Sequence, residues 1–294
     1  MLGDVTRPRR SCLSVPGSSG PMLEKARGLP ADEVLIDLED AVAPDSKDAA
    51  REATLAALGA GGWSAHSIAV RVNGIGTEWF EDDVEQLARR GGERLDTLIV
   101  PKLEDPGDLK PLERLLERAE AAAGRERPLG LQGLIETAAG LARVNEIAAA
   151  SPRLEALVLG YADLAASLGR PPSAPHDPDR WGFALDAVLV AARAAGLQAI
   201  DGPHLQISDL DGLLTAAARA RELGYDGKWA LHPSQIAPIN EAFTPTGEEI
   251  ARAEAIVAAL ERGADGVALL DGEMLDEASR KLALAVLARA PRSG

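Results

Sequence analysis

The chain is short of cysteine, aromatic residues, positive charge and long apolar runs, and each shortage removes a class of function. Cys12 is the single cysteine among 294 residues, so no internal disulfide can form. It lies in the apolar run Cys12-Leu-Ser-Val-Pro and reads as a buried strand residue, not a nucleophile. Aromatic residues make up 3%, too few for platforms on which bases stack. Lys and Arg number 31 against 46 Asp and Glu, a formal net charge of −15, which argues against nucleic acid or an anionic membrane surface as partner. An anionic small substrate would need a local basic site. No run reaches the roughly 18 apolar residues of a membrane span, and Met1–Arg10 lacks the apolar segment of a signal peptide; the expectation is a soluble, cytoplasmic protein. His66, His176, His204 and His232 form no His-x-x-x-His pattern and read as satisfied polar residues. Pro16-Gly-Ser-Ser-Gly20 lacks the Lys and the spacing of a P-loop, which argues against a nucleotide triphosphatase.

What the sequence does hold is alternation. Hydrophobic residues make up 46%, enough for a large core, and short β-like runs alternate with helical patterns, the signature of βα units around a parallel sheet. The runs are Ser11–Val15, Val34–Leu38, Ser67–Val72, Thr97–Pro101, Leu129–Ile135, Leu154–Gly160, Gln198–Ile200 and Lys228–Leu231. Eight such units predict an α/β fold of the TIM (β/α)8 barrel type over residues 1–240. Helical stripes such as Leu109, Leu112, Leu115, Leu116 and Ala119 supply packing faces. Thr246-Gly-Glu-Glu249 reads as a capping box opening a helix through about Arg262, and Met274 to Ala290 supports another. Residues 241–294 are therefore expected to form a C-terminal helical extension, covering the barrel mouth or a neighbouring subunit. Pro171 to Pro178 is the clearest irregular loop.

In such barrels the active site lies at the carboxyl ends of the strands, and the residues there are unusually polar. Glu136 and Asp163 each close an apolar run with one βα unit between them, so on parallel neighbouring strands their ends stand about 5 Å apart. Two carboxylates that close repel unless they share a proton or a cation, and Mg²⁺ is held by one or two carboxylates with substrate oxygens completing its shell. Oxygen ligands without clustered His or Cys suit Mg²⁺ better than Zn²⁺; the plainer alternative is a structural carboxylate pair or helix cap. Arg71, in Arg71-Val-Asn73-Gly74, offers a planar fork for bidentate binding of a substrate carboxylate. Its alternative is a salt bridge to Asp37 or Glu39. Lys102 either contacts substrate and offsets the carboxylates, or makes an ion pair with Glu39 or Glu136. Asp37, Glu39 and Asp40 add negative charge and would hold metal-bound water or orient Arg71 and Lys102. Asp201 and His232 end the last two runs.

These motifs resemble the citrate lyase β-subunit-like family, which includes malyl-CoA and citramalyl-CoA lyases within the HpcH/HpaI aldolase superfamily. The resemblance runs nearly the whole chain: Arg10-Ser-Cys-Leu-Ser-Val-Pro-Gly17, Val34-Leu-Ile-Asp-Leu-Glu-Asp-Ala-Val42, Val70-Arg-Val-Asn-Gly74, Val100-Pro-Lys-Leu-Glu104, Ile135-Glu-Thr137, Gly160-Tyr-Ala-Asp-Leu164 and Gly227-Lys-Trp-Ala-Leu-His-Pro-Ser-Gln-Ile236. It implies a TIM barrel, Mg²⁺ on Glu136 and Asp163, substrate carboxylate on Arg71, and reversible carbon–carbon cleavage of a 3-hydroxyacyl-CoA into an acyl-CoA and a 2-oxoacid. It also implies an acid/base aspartate from a neighbouring subunit, which matches Asp276, and a homo-oligomer, trimer or hexamer. The bland reading of Asp276 is an N-cap for the last helix. Arg10, Lys25 and Arg27 are candidates for the coenzyme A phosphates. Rival readings are a citrate lyase β subunit acting on a citryl acyl-carrier-protein, a malate synthase or thioesterase that hydrolyses the thioester, and a non-catalytic CoA- or oxoacid-binding regulator.

Overall fold

The eight apolar runs form eight parallel strands: β1 (Ser11–Pro16), β2 (Glu33–Asp37), β3 (Ser67–Arg71), β4 (Thr97–Val100), β5 (Gly130–Ile135), β6 (Leu154–Leu159), β7 (Gln198–Asp201) and β8 (Gly227–Ala230). Each end falls within one residue of the expectation. Neighbours in sequence are neighbours in the sheet, and β8 pairs with β1 to close the barrel. The computed structural model describes residues 7–173, 178–262 and 266–290; residues 174–177 of the Pro-rich loop, His176 among them, and the start of the Met1–Arg10 stretch lie outside them. Every residue of β2 and β3 is buried, because a barrel strand is covered by side chains inside and by helices outside, and so its sequence is a continuous apolar run, not an alternating one.

Inside the barrel, Cys12, Leu35, Ile99, Leu134, Val158 and Trp229 belong to one buried cluster. Burial holds the Cys12 thiol well above its ordinary pKa, as expected of an inert strand residue. At the amino-terminal end of the strands the interior is polar instead. Arg9 donates to Glu33 (2.8 Å), Gln198 (2.5 Å) and Glu155 (2.6 Å), and Gln132 donates to both Glu33 oxygens (3.0 Å each). These groups pair with one another, as burial of polar groups requires, with Gln132 Oε1 the exception.

A second compact unit begins at Glu241. Its first long helix, Gly247–Arg262, opens with the expected capping box: the Thr246 N–H donates to Glu249 Oε2 (2.7 Å) and the Glu249 N–H to Thr246 Oγ1 (3.2 Å). The next element differs from expectation. An antiparallel hairpin, β9 (Ala268–Leu270) and β10 (Glu273–Leu275), precedes the last helix, which starts only at Glu277 and runs to Arg289. Asp271 and Gly272 turn the hairpin with φ of 53° and 84°, the two positive φ values a type I′ turn demands and the Asp-Gly pair supplies.

Barrel closure at the β8–β1 seam depends on Gly227. A Cβ there would lie 1.7 Å from the Arg9 carbonyl oxygen and 2.6 Å from that of Arg10, both backbone atoms that cannot give way. Gly227→Ala should destabilise the barrel by about 3 kcal/mol, read as a fall in the denaturant midpoint of near-UV circular dichroism. A midpoint equal to wild type would show that the seam tolerates a side chain.

Candidate active site at the barrel mouth

The carboxyl ends of β2 to β6 bring five carboxylates and two cations together. Asp37 ends β2 and Arg71 ends β3, and register makes them direct partners. Asp37 accepts from Arg71 Nε (2.8 Å) and Nη2 (2.5 Å), while Nη1 lies 3.0 Å from Glu39 and 3.2 Å from Asp40. The bidentate grip assigned to a substrate carboxylate is therefore made by Asp37, the salt bridge that was the alternative reading. Only Nη1, between Glu39 and Asp40, lies outside that grip. Burial opposes the guanidinium's charge, but the Asp37 hydrogen bonds and the charges of Asp37, Glu39 and Asp40 outweigh it and raise the Arg71 pKa. The acidic loop is braced from below: buried Lys47 donates to the carbonyls of Leu38 (2.8 Å) and Glu39 (2.7 Å), and the Asp37 carboxylate accepts the Glu39 N–H (2.8 Å).

Lys102 follows Pro101 in a left-handed conformation, φ 49°, uncommon for a residue with a side chain. Its backbone N–H donates to Glu136 Oε1 (2.9 Å), while its ammonium binds Glu39 and stands 3.7 Å from both Asp40 and Asp163. One residue thus touches four of the five carboxylates. Glu136 follows β5 and is 2% exposed. Gly160 makes room for it, since a Cβ at that position would lie 2.6 Å from both Glu136 Cβ and Oε2. Burial first, and the charge of Asp163 second, push the Glu136 carboxyl up to about 8 against the pull of Arg71 and Lys102.

Asp163 differs from expectation. β6 stops at Leu159, Gly160 caps a helix over Tyr161–Ser167, and Asp163 sits in that helix's first turn, where a carboxylate meets the positive end of the helix dipole. It still reaches the Glu136 neighbourhood. Among the described residues no three His, Cys, Asp or Glu side chains form a ready cage. Two carboxylates, one of them carrying a proton through repulsion and burial, are the donor set of a hard cation that takes its other oxygens from substrate and water, and the residues present fit Mg²⁺ in that sense.

The other assignments fare differently. Arg10 is corrected: its fork is held by Asp32 (Nε and Nη2 both 2.8 Å) and its carbonyl accepts the Lys228 N–H (2.8 Å), which places it at the amino-terminal end of the strands, away from the mouth. Arg27 lies at the end of helix Gly20–Arg27, paired with Glu24 (3.1 Å) and 5.9 Å from the Trp63 ring; its carbonyl accepts from Ser64, upstream of β3, so it too points away from the mouth. Lys25 is exposed on the same helix. Asp276 caps the last helix through a complete capping box, Oδ1 accepting the N–H of Ala278 (2.9 Å) and Ser279 (3.0 Å). Those backbone donors, Ser279 foremost, hold its carboxyl below the ordinary value, opposite to the upward shift expected of a desolvated base. His232 caps a short turn through Ser234, a satisfied polar residue as anticipated.

The mouth encloses a pocket of about 390 Å³. Its lining includes residues that strand-end reading passed over, among them Tyr161, which opens the helix after β6, and Pro203 and Leu205, which follow β7.

The model of the HpcH/HpaI aldolase/citrate lyase family matches residues 10–233. The L-malyl-CoA/β-methylmalyl-CoA lyase of Cereibacter sphaeroides is 39% identical over 97% of this chain and 95% of its own length. A (3S)-malyl-CoA thioesterase of the same species is 38% identical over 98% and 97%. Among solved structures, CitE from Mycobacterium tuberculosis in complex with magnesium, acetoacetate and coenzyme A has 32% identity and a TM-score of 0.77, covering 95% of this chain and 97% of that one. A citrate lyase from Burkholderia xenovorans has 26% identity and a TM-score of 0.85, over 99% and 96%.

Between the ordinary carboxyl value of 4.5 and about 8, native Glu136 keeps a proton that the unfolded chain has lost, so this group lowers stability as pH rises through that window. A cation bound there must displace the proton. Calorimetric titration with Mg²⁺ near pH 7, in two buffers of different ionisation enthalpy, should show release of about one proton, and Glu136→Gln should abolish it. Equal heats in both buffers would show Glu136 already ionised at that pH, and Mg²⁺ binding unchanged in Glu136→Gln would remove it as the metal ligand.

Proposed function

Because the chain belongs to the HpcH/HpaI aldolase/citrate lyase family, we propose that it is a Mg²⁺-dependent carbon–carbon lyase that cleaves and forms 3-hydroxyacyl-CoA thioesters of the malyl-CoA or citramalyl-CoA type, with an acyl-CoA and a 2-oxoacid as the two halves. The observation that carries this reading is Glu136, buried, proton-laden and beside Asp163 at the mouth of the barrel. Glu136 and Asp163 would hold Mg²⁺, which when bound supplies Lewis-acid stabilisation of the oxoacid's keto oxygen. Arg71, through Nη1, gives the oxoacid carboxylate a cationic partner, and Asp37 holds the guanidinium still while it does so. Glu39 and Asp40, which a substrate carboxylate would displace from Nη1, are shared with Lys102. The Lys102 N–H fixes one Glu136 oxygen.

Asp276 is assigned as the acid/base, delivered from a neighbouring subunit of a soluble, cytoplasmic homo-oligomer, a trimer or hexamer, with residues 241–294 as the covering extension. In synthesis it takes a proton from the methyl group of the acyl thioester, the carbanion electrons form the new carbon–carbon bond at the keto carbon, and the keto π electrons move to the oxygen, which takes a proton from solvent to become the hydroxyl; cleavage runs the same transfers in reverse. Its low pKa as a solvated helix cap means that this role needs the desolvation a subunit contact provides. Among the described residues no helix is long and apolar enough to cross a membrane. A thioesterase would use the same residues with an added water, and a citrate lyase β subunit would take its acyl group from a carrier protein. Product analysis separates them: cleavage releases 2-oxoacid and intact acyl-CoA, whereas hydrolysis releases free thiol, and a carrier-specific enzyme ignores the free CoA thioester.

Asp276→Asn tests the base without removing the cap, since Asn caps a helix about as well as Asp. The variant should lose at least about 100-fold in kcat with an unchanged melting temperature, while Glu136→Ala should lose cleavage and Mg²⁺ binding together. Full activity in Asp276→Asn would leave that residue as a helix cap alone.

A further inference from the structure

The helix Gly182–Ala194, between β6 and β7, is apolar on two sides. One side is barrel packing: Ala184, Leu185, Val188, Ala191 and Ala192 are buried. On the other, Phe183 is 80% and Val190 62% exposed, and Ala187, half-buried, and Ala194, exposed, complete the same row. The four positions follow one another at steps of four, three and four residues, the spacing that keeps side chains in one seam along a helix. Large and small residues alternate along it. A contiguous apolar row of this kind, unlike a scattered surface residue, marks an interaction surface. The helix carries two charges, one of each sign, both flanking the seam on the same side. Asp186 is exposed and forms no ion pair among the described residues. Arg193 is anchored by Asp226 (2.8 Å) and by the carbonyls of Leu197 (2.9 Å) and Gly224 (2.6 Å), and its side chain is still 40% exposed.

We propose that this face is a two-fold contact between copies of the chain, in which the two helices pack antiparallel with their midpoints together. A half-turn about an axis level with the 188–189 peptide sets Phe183 against Ala194 of the second copy and Ala187 against its Val190, and symmetry repeats both pairs. Every large side chain then meets a small one, the knob-and-hole condition for close helix packing. The same half-turn brings Asp186 alongside Arg193 of the second copy, twice. An isologous contact requires a row complementary to its own rotated image, and an unrelated partner does not. At a net charge of −15 two copies repel over most of their surface, and this helix, with one charge of each sign, is a neutral strip on which they can meet. A pair of 13-residue helices is about 20 Å long, at or below the roughly 1,200 Å² end of stable interfaces, so the contact joins subunits that other contacts also gather. Of the trimer and hexamer proposed above, only the hexamer can hold a two-fold axis. The inference goes beyond the lyase reading and does not depend on it, because none of these residues lines the pocket at the mouth.

Light scattering of the full-length chain after size exclusion, over a range of concentrations, tests this. Wild type should hold an even number of copies. Phe183→Glu should halve the particle mass and keep the circular dichroism spectrum of wild type, since the side chain it replaces is turned to solvent within the subunit. Val190→Glu, two turns along the same seam, should halve the mass as well, which guards against a local effect of either substitution. Asp186→Arg sets like charges across the axis and should raise the concentration at which the assembly halves by about tenfold at low salt and by less at high salt. An odd-numbered or monomeric wild type, the outcome if another protein or this chain's own C-terminal unit covers the face, would overturn the proposal, as would an unchanged mass in either glutamate variant. Halving by both glutamate variants with Asp186→Arg indistinguishable from wild type would overturn the antiparallel register.

Discussion

Asp37, Glu39, Asp40, Glu136 and Asp163 crowd the carboxyl ends of neighbouring barrel elements, and their mutual repulsion is contained by Arg71 and Lys102. The two cations divide the work. Arg71 spreads a planar charge over Asp37, Glu39 and Asp40, while Lys102 sends its ammonium toward Glu39, Asp40 and Asp163 and its backbone N–H to Glu136. The left-handed backbone of Lys102 is the cost of that double reach, of the order of 1–3 kcal/mol. Five negative charges against two positive ones still leave an excess, and the protein meets it by keeping a proton on Glu136. A site in that state is poised for a cation: Mg²⁺ would replace the proton's single positive charge with two, at a carboxylate that burial has already made reluctant to stay bare.

The barrel's opposite end handles the same problem by closure instead of poise. Arg9, Glu33, Gln132, Gln198 and Glu155 engage each other in the interior near the β8–β1 seam, and Gln132 Oε1 is left without a partner. The two ends thus differ in chemistry although they are built from the same strands. At the amino end charged groups are paired with one another inside the barrel; at the carboxyl end the acidic excess and the pocket leave a place for an outside partner. That difference also explains why Arg10 and Arg27, basic and close in sequence to the first strand, contribute to the scaffold: the path of the chain puts them at the amino end.

Most of the fold was legible because barrel strands are buried on both faces, which writes them into the sequence as unbroken apolar runs, bounded to within a residue. The hairpin β9–β10 was missed as structure because three-residue strands leave no run to see, although Asp271-Gly272 was a usable turn signal. The site was half legible. Arg71, Lys102 and Glu136 lie directly at strand ends, so reading the residue after each run found them. Asp163 was found but misplaced at a strand end, because the Leu154–Gly160 run continues without a break through Tyr161 and Ala162 and hides the stop at Leu159; Gly160, which caps the helix and yields space to Glu136, was the available clue.

What the sequence by itself determined is the inventory and its order: eight buried strands, an acidic set at their ends, and a capped pair of C-terminal helices, all consequences of local hydrophobic periodicity and cap chemistry. Tertiary structure alone decided the pairings. Whether Arg71 faces a substrate or Asp37, whether Lys102 touches one carboxylate or four, and whether Tyr161 stands free or is pinned by Asp201 and Lys228 depend on how the barrel brings together residues 27 to 63 apart in sequence. Charge interactions of that range have no local signature, because their strength is set by the distance and burial that only the closed barrel supplies.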